Sequence, residues 1–507
     1  MAKSRTKNVA INVTASIVNN VVSLICGLIL PRLILSNFGS EYNGITQSIT
    51  QFISYISLMQ SGIGGATAAA LYKPLANKDN VEISEVLAAT QKFMRKISFI
   101  FVAFVAVFAV IYPIWICTDF DWFFSASLIV IISLSTFAQY YFGFTYQCLL
   151  GADQKAYIVT YLNAFTVILN AIVSVILINN GCSIHIVKLG ASIVHIIPPI
   201  FMYIYVRKKY HIIDGLEPKE DKIPQKWNAA AHEVASFVND NTDIVILTMF
   251  VGLKEISVYS IYHYVTSNIK KILTNFTVGF GHAFGDMYAR NELELMKKNL
   301  GIYETIIYSL TTILCTTTLV MFLPFVALYT KGINDVNYIR PTFAIIMTFA
   351  CAFNCFRVPY RSIVYAVGHY RQTRNGAIFE AVMNITISII TVYKFGLVGV
   401  AIGTMCAMAF RTFQYGIYLS NNIITRNNFY FIWHICLSFI TMILVFFVSK
   451  LYIPSQVNSW ISWIIYSCIT GIIATFITIV FDIVFYKNDF SNTVNKLLGL
   501  LKRKVKH

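Results

Sequence analysis

The chain has 507 residues, of which 57% are hydrophobic and only 12% are charged. Soluble domains carry roughly 25% charged residues, so this composition excludes an ordinary soluble enzyme. The formal net charge is +16, which would indicate nucleic acid in a soluble protein. In a membrane protein the same excess reports orientation instead.

Long apolar runs recur from residue 9 to residue 486. A bilayer core about 30 Å thick needs about 20 apolar residues per helix, so each run between glycine, proline and charge breaks is interpreted as one span. The pattern predicts an all-α polytopic membrane protein with about 14 transmembrane helices. The predicted spans are 9–36, 43–72, 97–116, 123–150, 157–179, 184–206, 227–251, 256–284, 301–329, 341–367, 374–393, 396–420, 429–449 and 459–486.

Lysine and arginine are distributed unequally between the two sides of these spans. Of the 39 basic residues, 27 lie in the tails and at the even-numbered connections, and only 5 lie in the odd-numbered loops. Cytoplasmic segments are enriched in basic residues. The even number of spans then predicts that both termini are cytoplasmic, and most of the net charge is topological.

Short motifs recur at a nearly constant interval along the chain. The interval from Gly39 to Gly252 equals the interval from Gly190 to Gly403, and the loop glycines Gly151 and Gly368 are separated by nearly the same distance in sequence. Parallel repeats of this kind build transporters whose substrate site lies between two lobes. The predicted domains are 1–206 (spans 1–6), a cytoplasmic linker at 207–226, 227–421 (spans 7–12), and 422–507, which holds spans 13 and 14 and a basic cytoplasmic tail.

Charged residues inside the spans concentrate in the second lobe. A charge at a helix centre costs roughly 2.5–3.5 kcal/mol, so such residues usually face a protein interior or a wet cavity. Span 10 carries Arg357 and Arg361 on one face, at a helical spacing of four. The first-lobe face is polar but almost uncharged, with Arg32 as the exception.

Two interpretations fit the arginines. They form a structural ion-pair cluster with Glu380, or their planar forks bind a phosphate group. The second interpretation predicts an anionic headgroup as ligand, because the arginines outnumber the single glutamate. The candidate substrate-binding residues are Arg32, Gln47, Gln51, Lys270, Arg357, Arg361 and Arg411.

The acidic residues of span 7 also have two interpretations. They pair with Lys270 or Lys271 on the next span, or they form a proton or sodium site that drives transport, since oxygen ligands suit a hard cation. The candidate ion-coupling residues are Glu233, Asp240, Asp243, Glu380, Asn384 and Thr404. Apart from Na⁺ or H⁺ as a coupling ion, no cofactor is expected.

Motifs for enzymatic chemistry are missing from the sequence. There is no phosphate-binding glycine loop, nucleophile elbow or zinc-protease motif, and the histidines are too dispersed to predict a metal site. A transporter without enzymatic activity is therefore favoured over a membrane glycosyl polymerase, and no nucleic acid is expected as a partner. Two basic amphipathic stretches, 81–97 and 494–507, are expected to lie on the anionic inner leaflet.

The segments Leu30–Gly44, Tyr55–Gly64 and Leu71–Ala76, together with the Gly151 and Gly368 loops and the Gly399/Gly403 pattern, resemble bacterial polysaccharide flippases. These Wzx-like proteins belong to the multidrug/oligosaccharidyl-lipid/polysaccharide (MOP) exporter superfamily. The resemblance covers the whole chain. It implies two six-helix lobes in a V that alternate access, with two additional C-terminal helices that form a groove for a lipid tail.

The same resemblance implies a substrate, a location and partners. The substrate would be an undecaprenyl-pyrophosphate-linked oligosaccharide, moved from the inner to the outer leaflet of the bacterial cytoplasmic membrane for cell-envelope polysaccharide. Arg32 would contact the pyrophosphate, and Asp240 or Asp243 with Glu380 or Asn384 and Thr404 would bind sodium. A polysaccharide polymerase and glycosyltransferases are the implied protein partners, and a cation-coupled multidrug antiporter of the same superfamily is the alternative.

Overall fold

The computed structural model describes residues 2–60, 63–116, 119–213, 215–216, 237, 241–454 and 457–505. Across these residues the regular backbone is helical and no strand occurs, which confirms the all-α fold class. The chain forms two compact units, Met1–Ser257 (unit 1) and Val258–His507 (unit 2). The predicted linker at 207–226 falls partly outside the described residues, so the domain boundaries stay a prediction.

Unit 1 is built from long apolar helices and three short breaks. A 3-10 turn (Ile56–Gln60) and two π turns (Tyr112–Ile116 and Gln139–Gly143) interrupt them. Helix α7 packs against α1 and α8, while α5 packs against α4 and α8. The helices are α1 (Ala2–Phe38), α2 (Ser40–Tyr55), α3 (Ile63–Asn77), α4 (Asn80–Ile111), α5 (Trp122–Ala138), α6 (Phe144–Ala152), α7 (Ala156–Asn179), α8 (Ile184–Lys209) and α9 (Asn241–Phe250).

Unit 2 is organised around one long helix, α11, which contacts α12, α16, α17 and α18. Helix α15 packs along α14 and also against α12. Helix α10 begins at the end of unit 1 and continues into unit 2. The helices are α10 (Leu253–Ala289), α11 (Leu293–Tyr329), α12 (Pro341–Phe356), α13 (Val358–Ala366), α14 (Tyr370–Phe395), α15 (Leu397–Asn422), α16 (Phe429–Ser449), α17 (Trp460–Phe485) and α18 (Lys487–Val505).

Eleven helical segments in the described part of the chain are long and apolar enough to cross a membrane, so the protein is a multi-pass membrane protein. Only helices and closed barrels satisfy every backbone hydrogen bond inside hydrocarbon. Predicted spans 2, 7 and 8 correspond to the broken pair α2–α3, the short helix α9, and α10, and none of these is among the eleven. The total of 14 spans therefore stays a prediction.

The amphipathic stretch at 81–97 differs from its prediction. It is not a separate helix on the membrane surface but the first half of the continuous helix α4, Asn80–Ile111. Asp79 caps this helix by accepting a hydrogen bond from the Glu82 amide at 3.0 Å. The Asp79 cap therefore marks the start of α4 before its polar N-terminal half, and the helix continues without a break into its apolar C-terminal half.

Helix boundaries repeat along the chain with the predicted interval. Helices α2, α4 and α8 begin at residues 40, 80 and 184, and α10, α11 and α15 begin at 253, 293 and 397, so each start in the first set recurs in the second after the same interval. The helix that follows α5 restarts after a break at residue 143, and α12 is broken at Arg357, nearly the same interval later. The two units therefore share the spacing of these helix starts, although α2 ends at Tyr55 whereas its counterpart α10 continues to Ala289.

Backbone conformations between the helices repeat as well. Gly39 and Gly252 have φ of 92° and 117°, and Lys78 and Asn291, separated by the same interval, have φ of 57° and 58°. Positive φ is strained for residues other than glycine, so its recurrence at Lys78 and Asn291 shows that the turn geometry is shared. Gln154 (φ 60°) precedes Gly368 (φ 80°) by nearly this interval, so Gln154 and not Gly151 is the counterpart of Gly368.

Close packing of α14 on α15 depends on glycine. A Cβ atom on Gly403 would lie 2.7 Å from the Ser388 amide nitrogen and 2.9 Å from the Asn384 carbonyl oxygen. Small residues let membrane helices approach in this way. Thr391 Oγ1 donates a 2.8 Å hydrogen bond to the Gly399 carbonyl oxygen across the same contact, which holds the two backbones together.

Gly403→Ala should therefore destabilise the protein, because α14 and α15 must separate to admit the methyl group. We expect a loss of about 1–3 kcal/mol, the usual cost of overpacking, measured by thermal unfolding in detergent. Gly471→Ala is the control, since the nearest atom to its added Cβ is Thr317 Oγ1 at 3.8 Å. Equal stability of the two variants would contradict this account of the contact.

Candidate functional site

Three charged side chains meet inside unit 2 and form what is called here the Glu380 cluster: Arg357, Glu380 and Arg411. Arg357 lies at the break between α12 and α13, Glu380 in α14 and Arg411 in α15. Arg357 Nη1 is 2.5 Å from Glu380 Oε1, and Arg411 Nε is 3.4 Å from Glu380 Oε2. Arg357 and Glu380 are each 6% exposed and Arg411 is 2% exposed, so one carboxylate neutralises one of two buried guanidinium groups.

Arg411 has several further partners. It donates to the Thr373 carbonyl oxygen at 3.1 Å, to the Tyr415 hydroxyl at 2.7 Å and to Gln414 Oε1. Its guanidinium also stacks 4.0 Å from the centre of the Tyr415 ring. A side chain at Gly376 would overlap Gln414 and Arg411, so this glycine provides the space that Arg411 fills.

The geometry of the cluster bears on both interpretations of the arginines. The contacts of Arg357 and Arg411 with Glu380 are those of a structural ion pair, while the net charge of the three groups remains +1. Arg361 lies one turn beyond Arg357 on α13 and is half-buried. Of the candidate phosphate ligands in this cluster and on the next turn, Arg361 is half-buried, and Arg357 and Arg411 pair with the Glu380 carboxylate. Their role in substrate binding stays a prediction.

The candidate ion-coupling residues are partly brought together. Asn384 Oδ1 accepts hydrogen bonds from Ser388 at 3.2 Å and from Thr404 at 3.4 Å, one turn along α14 from Glu380. Asp243 belongs to unit 1 and is buried in α9. Glu233 and Asp240 lie outside the described residues. Within the described ranges, no group of three or more His, Cys, Asp or Glu side chains could hold a metal ion.

The remaining candidates lie on separate helices. Gln51 on α2 donates to Asn241 Oδ1 at 2.8 Å and to Ser54 Oγ at 3.1 Å, so it joins α2 to α9 within unit 1. Gln47 on α2 and Arg32 on α1 are half-buried in unit 1, and Lys270 on α10 is half-buried in unit 2. Three of these candidates therefore lie in unit 1, and Lys270 lies in the same unit as Glu380.

Unit 1 contains a cavity of about 510 Å³ that sequence reasoning found only in part. Helices α2, α5, α7 and α8, the 3-10 turn after α2 and the π turn after α5 line it with hydroxyl, amide and imidazole groups, and among the described lining residues none is Asp, Glu, Lys or Arg. The polar face of α2 was visible in the sequence. The polar lining residues are Thr50, Ser54, Ser57, Ser135, Thr136, Gln139, Tyr140, Asn163, Thr166 and His195.

A second buried ion pair in unit 2 was not predicted. Arg426, between α15 and α16, donates two hydrogen bonds of 2.6 Å to Glu304 on α11, whose carboxylate is 1% exposed. Burial alone would lower the pKa of Arg426, but the charge of Glu304 and its hydrogen bonds outweigh burial and raise that pKa above its usual range. The pair fixes the start of the C-terminal helices to α11.

Comparison with known proteins gives a likeness of fold. No protein-family model matches the chain, and no curated protein matches it by sequence. A structure of the lipid II flippase MurJ in an inward closed conformation superposes with a TM-score of 0.69 and 16% identity, covering 94% of this chain and 99% of that one. At this identity the likeness establishes the fold and not the substrate.

Transporters of the multidrug resistance MATE family, of the MOP superfamily, also share the fold. An inward-facing structure has a TM-score of 0.61 at 13% identity and covers 79% of this chain and 94% of that one. An outward-facing structure has a TM-score of 0.58 at 13% identity and covers 82% and 94%. The neighbours are thus a flippase and multidrug transporters, and the flippase match includes more of this chain.

The Glu304–Arg426 pair makes a prediction for stability. Removing one partner of a buried ion pair leaves an uncompensated charge and costs about 3–5 kcal/mol, so Glu304→Gln and Arg426→Gln should each lower the unfolding temperature in detergent. The double variant Glu304→Gln/Arg426→Gln should lose much less than the sum of the two.

The control for this cycle is Arg290→Gln, which breaks the exposed 3.0 Å pair with Asp286. Exposed pairs contribute little, so the unfolding temperature should hardly change. Additive losses in the double variant, or an equal loss in Arg290→Gln, would show that the Glu304–Arg426 pair does not hold the C-terminal helices.

Proposed function

We propose that the chain is a transporter of the MOP superfamily that flips undecaprenyl-pyrophosphate-linked oligosaccharide repeat units from the inner to the outer leaflet of the bacterial cytoplasmic membrane. The observation that carries the proposal is the local excess of positive charge at the Glu380 cluster and the next turn of α13, where buried Arg357 and Arg411 and half-buried Arg361 outnumber one carboxylate. Cations inside a membrane protein favour an anionic headgroup as ligand. The protein is then a carrier for cell-envelope polysaccharide synthesis and not an enzyme.

The diphosphate is assigned to the arginines of unit 2. A guanidinium presents a planar fork that matches phosphate oxygens in pairs, and charge-assisted bonds of this kind are about twice as strong as neutral ones. Arg361 is the first contact in this proposal, because it is half-buried and therefore reachable. Arg357 and Arg411 add the remaining positive field, and Lys270 and Arg32 are secondary candidates.

The sugars are assigned to the neutral cavity of unit 1. Hydroxyl and amide side chains can both donate and accept hydrogen bonds, which suits sugar hydroxyl groups, and the cavity has a volume of about 510 Å³. Since the described lining residues carry no Asp, Glu, Lys or Arg, neutral sugars would enter it without leaving one of these lining groups as an unpaired buried ion. Gln47 and Gln51 on α2 extend the polar face of this unit.

The lipid tail is assigned to the C-terminal helices α16 and α17. Support comes from the extent of the structural matches: the lipid II flippase superposes on 94% of the chain, whereas the two MATE structures superpose on 79% and 82%. Orientation is assigned from the basic residues, which place both termini in the cytoplasm. A polymerase and glycosyltransferases would act on the product and supply the substrate.

The second candidate is a cation-coupled multidrug antiporter, which the MATE matches favour. Its substrates would be organic cations, and a cavity for them should contain more acidic than basic groups. The described part of unit 2 has the opposite balance around Glu380. Energy coupling to Na⁺ or H⁺ is proposed for both candidate functions. Asn384 and Thr404 would supply neutral oxygen ligands to the ion, and the acidic candidates are Glu233, Asp240, Asp243 and Glu380.

Arg361→Gln tests the proposed function. The purified protein in vesicles should flip an undecaprenyl-pyrophosphate oligosaccharide that carries a fluorophore on the sugar. A membrane-impermeant quencher measures the fraction of fluorophore in the outer leaflet over time. Loss of one charge-assisted contact costs roughly 1.5–3 kcal/mol, so the variant should flip about 10- to 100-fold more slowly with little change in unfolding temperature.

Arg374→Gln is the matched control, because it removes the same charge from an exposed position of the same unit and should leave the flipping rate unchanged. An unaltered rate in Arg361→Gln would remove the phosphate role of that residue. Uptake of a fluorescent organic cation by the wild type, without flipping of the lipid-linked sugar, would establish the antiporter instead. A Na⁺ or H⁺ gradient imposed on the same vesicles tests coupling.

A further inference from the structure

A small polar cavity lies inside unit 2, where α11, α16 and α17 meet. All three helices are long and apolar enough to cross a membrane. The volume of the cavity is about 10 Å³, close to the least space that holds one water-sized particle. Carboxylate, imidazole and hydroxyl groups line it, and the lining includes Ser309, Thr312, His434, Thr441, Thr478 and Asp482.

The formal negative charge in the cavity belongs to Asp482 on α17, which is 5% exposed. Its Oδ2 accepts a 2.7 Å hydrogen bond from Ser309 Oγ on α11. Its Oδ1 lies 3.9 Å from His434 Nε2 on α16, which is too long for a hydrogen bond. The rings of Tyr308 and Tyr486 stack on the imidazole, with centroids 4.4 and 4.1 Å from its own. This stacking restricts movement of the imidazole towards the carboxylate.

The carboxylate of Asp482 needs a positive partner, because burying an unpaired ion in a membrane protein is costly. None of the described lining residues is Lys or Arg. Arg426, in the same unit, already donates from both terminal nitrogens to Glu304. The charge of Asp482 is therefore balanced by a proton, on His434 or on the carboxylate itself, or by a cation in the cavity.

The hydroxyl groups of the lining favour a cation. Thr312 donates to the Tyr308 carbonyl oxygen at 2.8 Å, and Thr441 donates to the Leu437 carbonyl oxygen at 3.0 Å. A hydroxyl has one proton, so these groups present only lone pairs to an occupant. A water molecule would donate to such acceptors but would leave the charge of Asp482 unbalanced, whereas a cation would use the lone pairs and balance the charge.

Thr478 on α17 supplies an independent indication of an occupant. Thr470 and Thr475 on the same helix each donate a 2.7 Å hydrogen bond to the carbonyl oxygen one turn earlier, of Tyr466 and Gly471. Thr478 is 5% exposed and lines the cavity, yet its hydroxyl has no hydrogen-bond partner among the described residues. A buried hydroxyl without a partner is destabilising, so an occupant that it contacts would offset this cost.

We propose that the cavity binds Na⁺, with Asp482 as the charged ligand and Ser309 and Thr478 as neutral oxygen ligands. Hard cations take oxygen ligands, and a single carboxylate balances one positive charge, which favours a monovalent ion over Ca²⁺ or Mg²⁺. The small volume favours Na⁺ over the larger K⁺. The site shares no residue with the ion-coupling candidates and does not depend on the proposed function. The bound ion would hold α16 and α17 on α11.

Thr478→Val tests the site when Na⁺ is exchanged for K⁺. The full chain in detergent is unfolded by heating in NaCl or in KCl at equal concentration. In KCl the variant should be at least as stable as the wild type, since valine removes a buried hydroxyl without a partner. In NaCl the order should reverse, because only the wild type keeps this ligand. Na⁺ should raise the unfolding temperature of the wild type by at least about 2 °C more than that of the variant.

Thr475→Val is the matched control, because it removes a hydroxyl of the same helix that already donates to Gly471. Its difference from the wild type should be the same in both salts. An equal response of Thr478→Val and the wild type to Na⁺ would overturn the proposal, since a proton on His434 or Asp482 would then balance the charge. Equal stabilisation of the wild type by K⁺ and Na⁺ would also overturn it.

Binding of radioactive Na⁺ to the purified full chain counts the sites directly. Asp482→Asn keeps the shape of the side chain and removes its charge, so it should lower the number of Na⁺ ions bound per chain by one, whatever number the ion-coupling candidates hold. Thr478→Val should weaken this site about 3- to 10-fold, and it serves if Asp482→Asn fails to fold. An unchanged count in Asp482→Asn, or equal affinities in Thr478→Val and Thr475→Val, would exclude Na⁺ from this cavity.

Discussion

The cost of a charge in a low-dielectric layer is the constraint on which the second unit depends. Glu380 and Glu304 are 6% and 1% exposed, and each accepts hydrogen bonds from arginine. Burying an unpaired ion would cost several kcal/mol, so the helices that carry these groups are held in one arrangement. The Glu380 cluster joins α14 and α15 to the break after α12, and the Glu304–Arg426 pair joins α11 to the chain before α16.

The two units share a backbone plan but differ in their interior chemistry. Helix starts and positive-φ turns recur after one common interval, because turn geometry and membrane thickness restrict them in both units. Side chains that face the interior are not restricted in this way. One unit therefore contains a cavity whose described polar lining is neutral, and the other unit places two buried arginines and one half-buried arginine near one glutamate on the same framework.

Sequence was sufficient for features that depend on local pattern. Apolar runs predicted the helices, and glycine spacing predicted the repeat, because both follow from periods along one chain. The ion-pair cluster of the arginines with Glu380 was one of two interpretations of the sequence, which could not choose between them. The Glu304–Arg426 pair was missed, because its residues are 122 positions apart and no spacing rule identifies such partners. Most of the lining of the neutral cavity was missed for a different reason. Single serines and threonines in apolar helices usually donate a hydrogen bond to their own backbone, so Ser135 and Thr136 did not indicate a cavity.

Burial distinguishes Arg357 and Arg411, which are buried, from Arg361, which is half-buried. This difference affects how the arginines would act in the proposed transport. An anion that approached Arg357 or Arg411 would compete with a carboxylate already 2.5 Å from one and 3.4 Å from the other, so its net gain would be reduced by the lost pair. Arg361 is half-buried on the next turn, and the positive field of the cluster reaches it. Alternating access requires only that the two states bind the cargo differently. In the proposed transport cycle, Arg361 beside a partly neutralised pair would meet that requirement, because a displacement of α13 relative to Glu380 would change the charge that the cargo encounters.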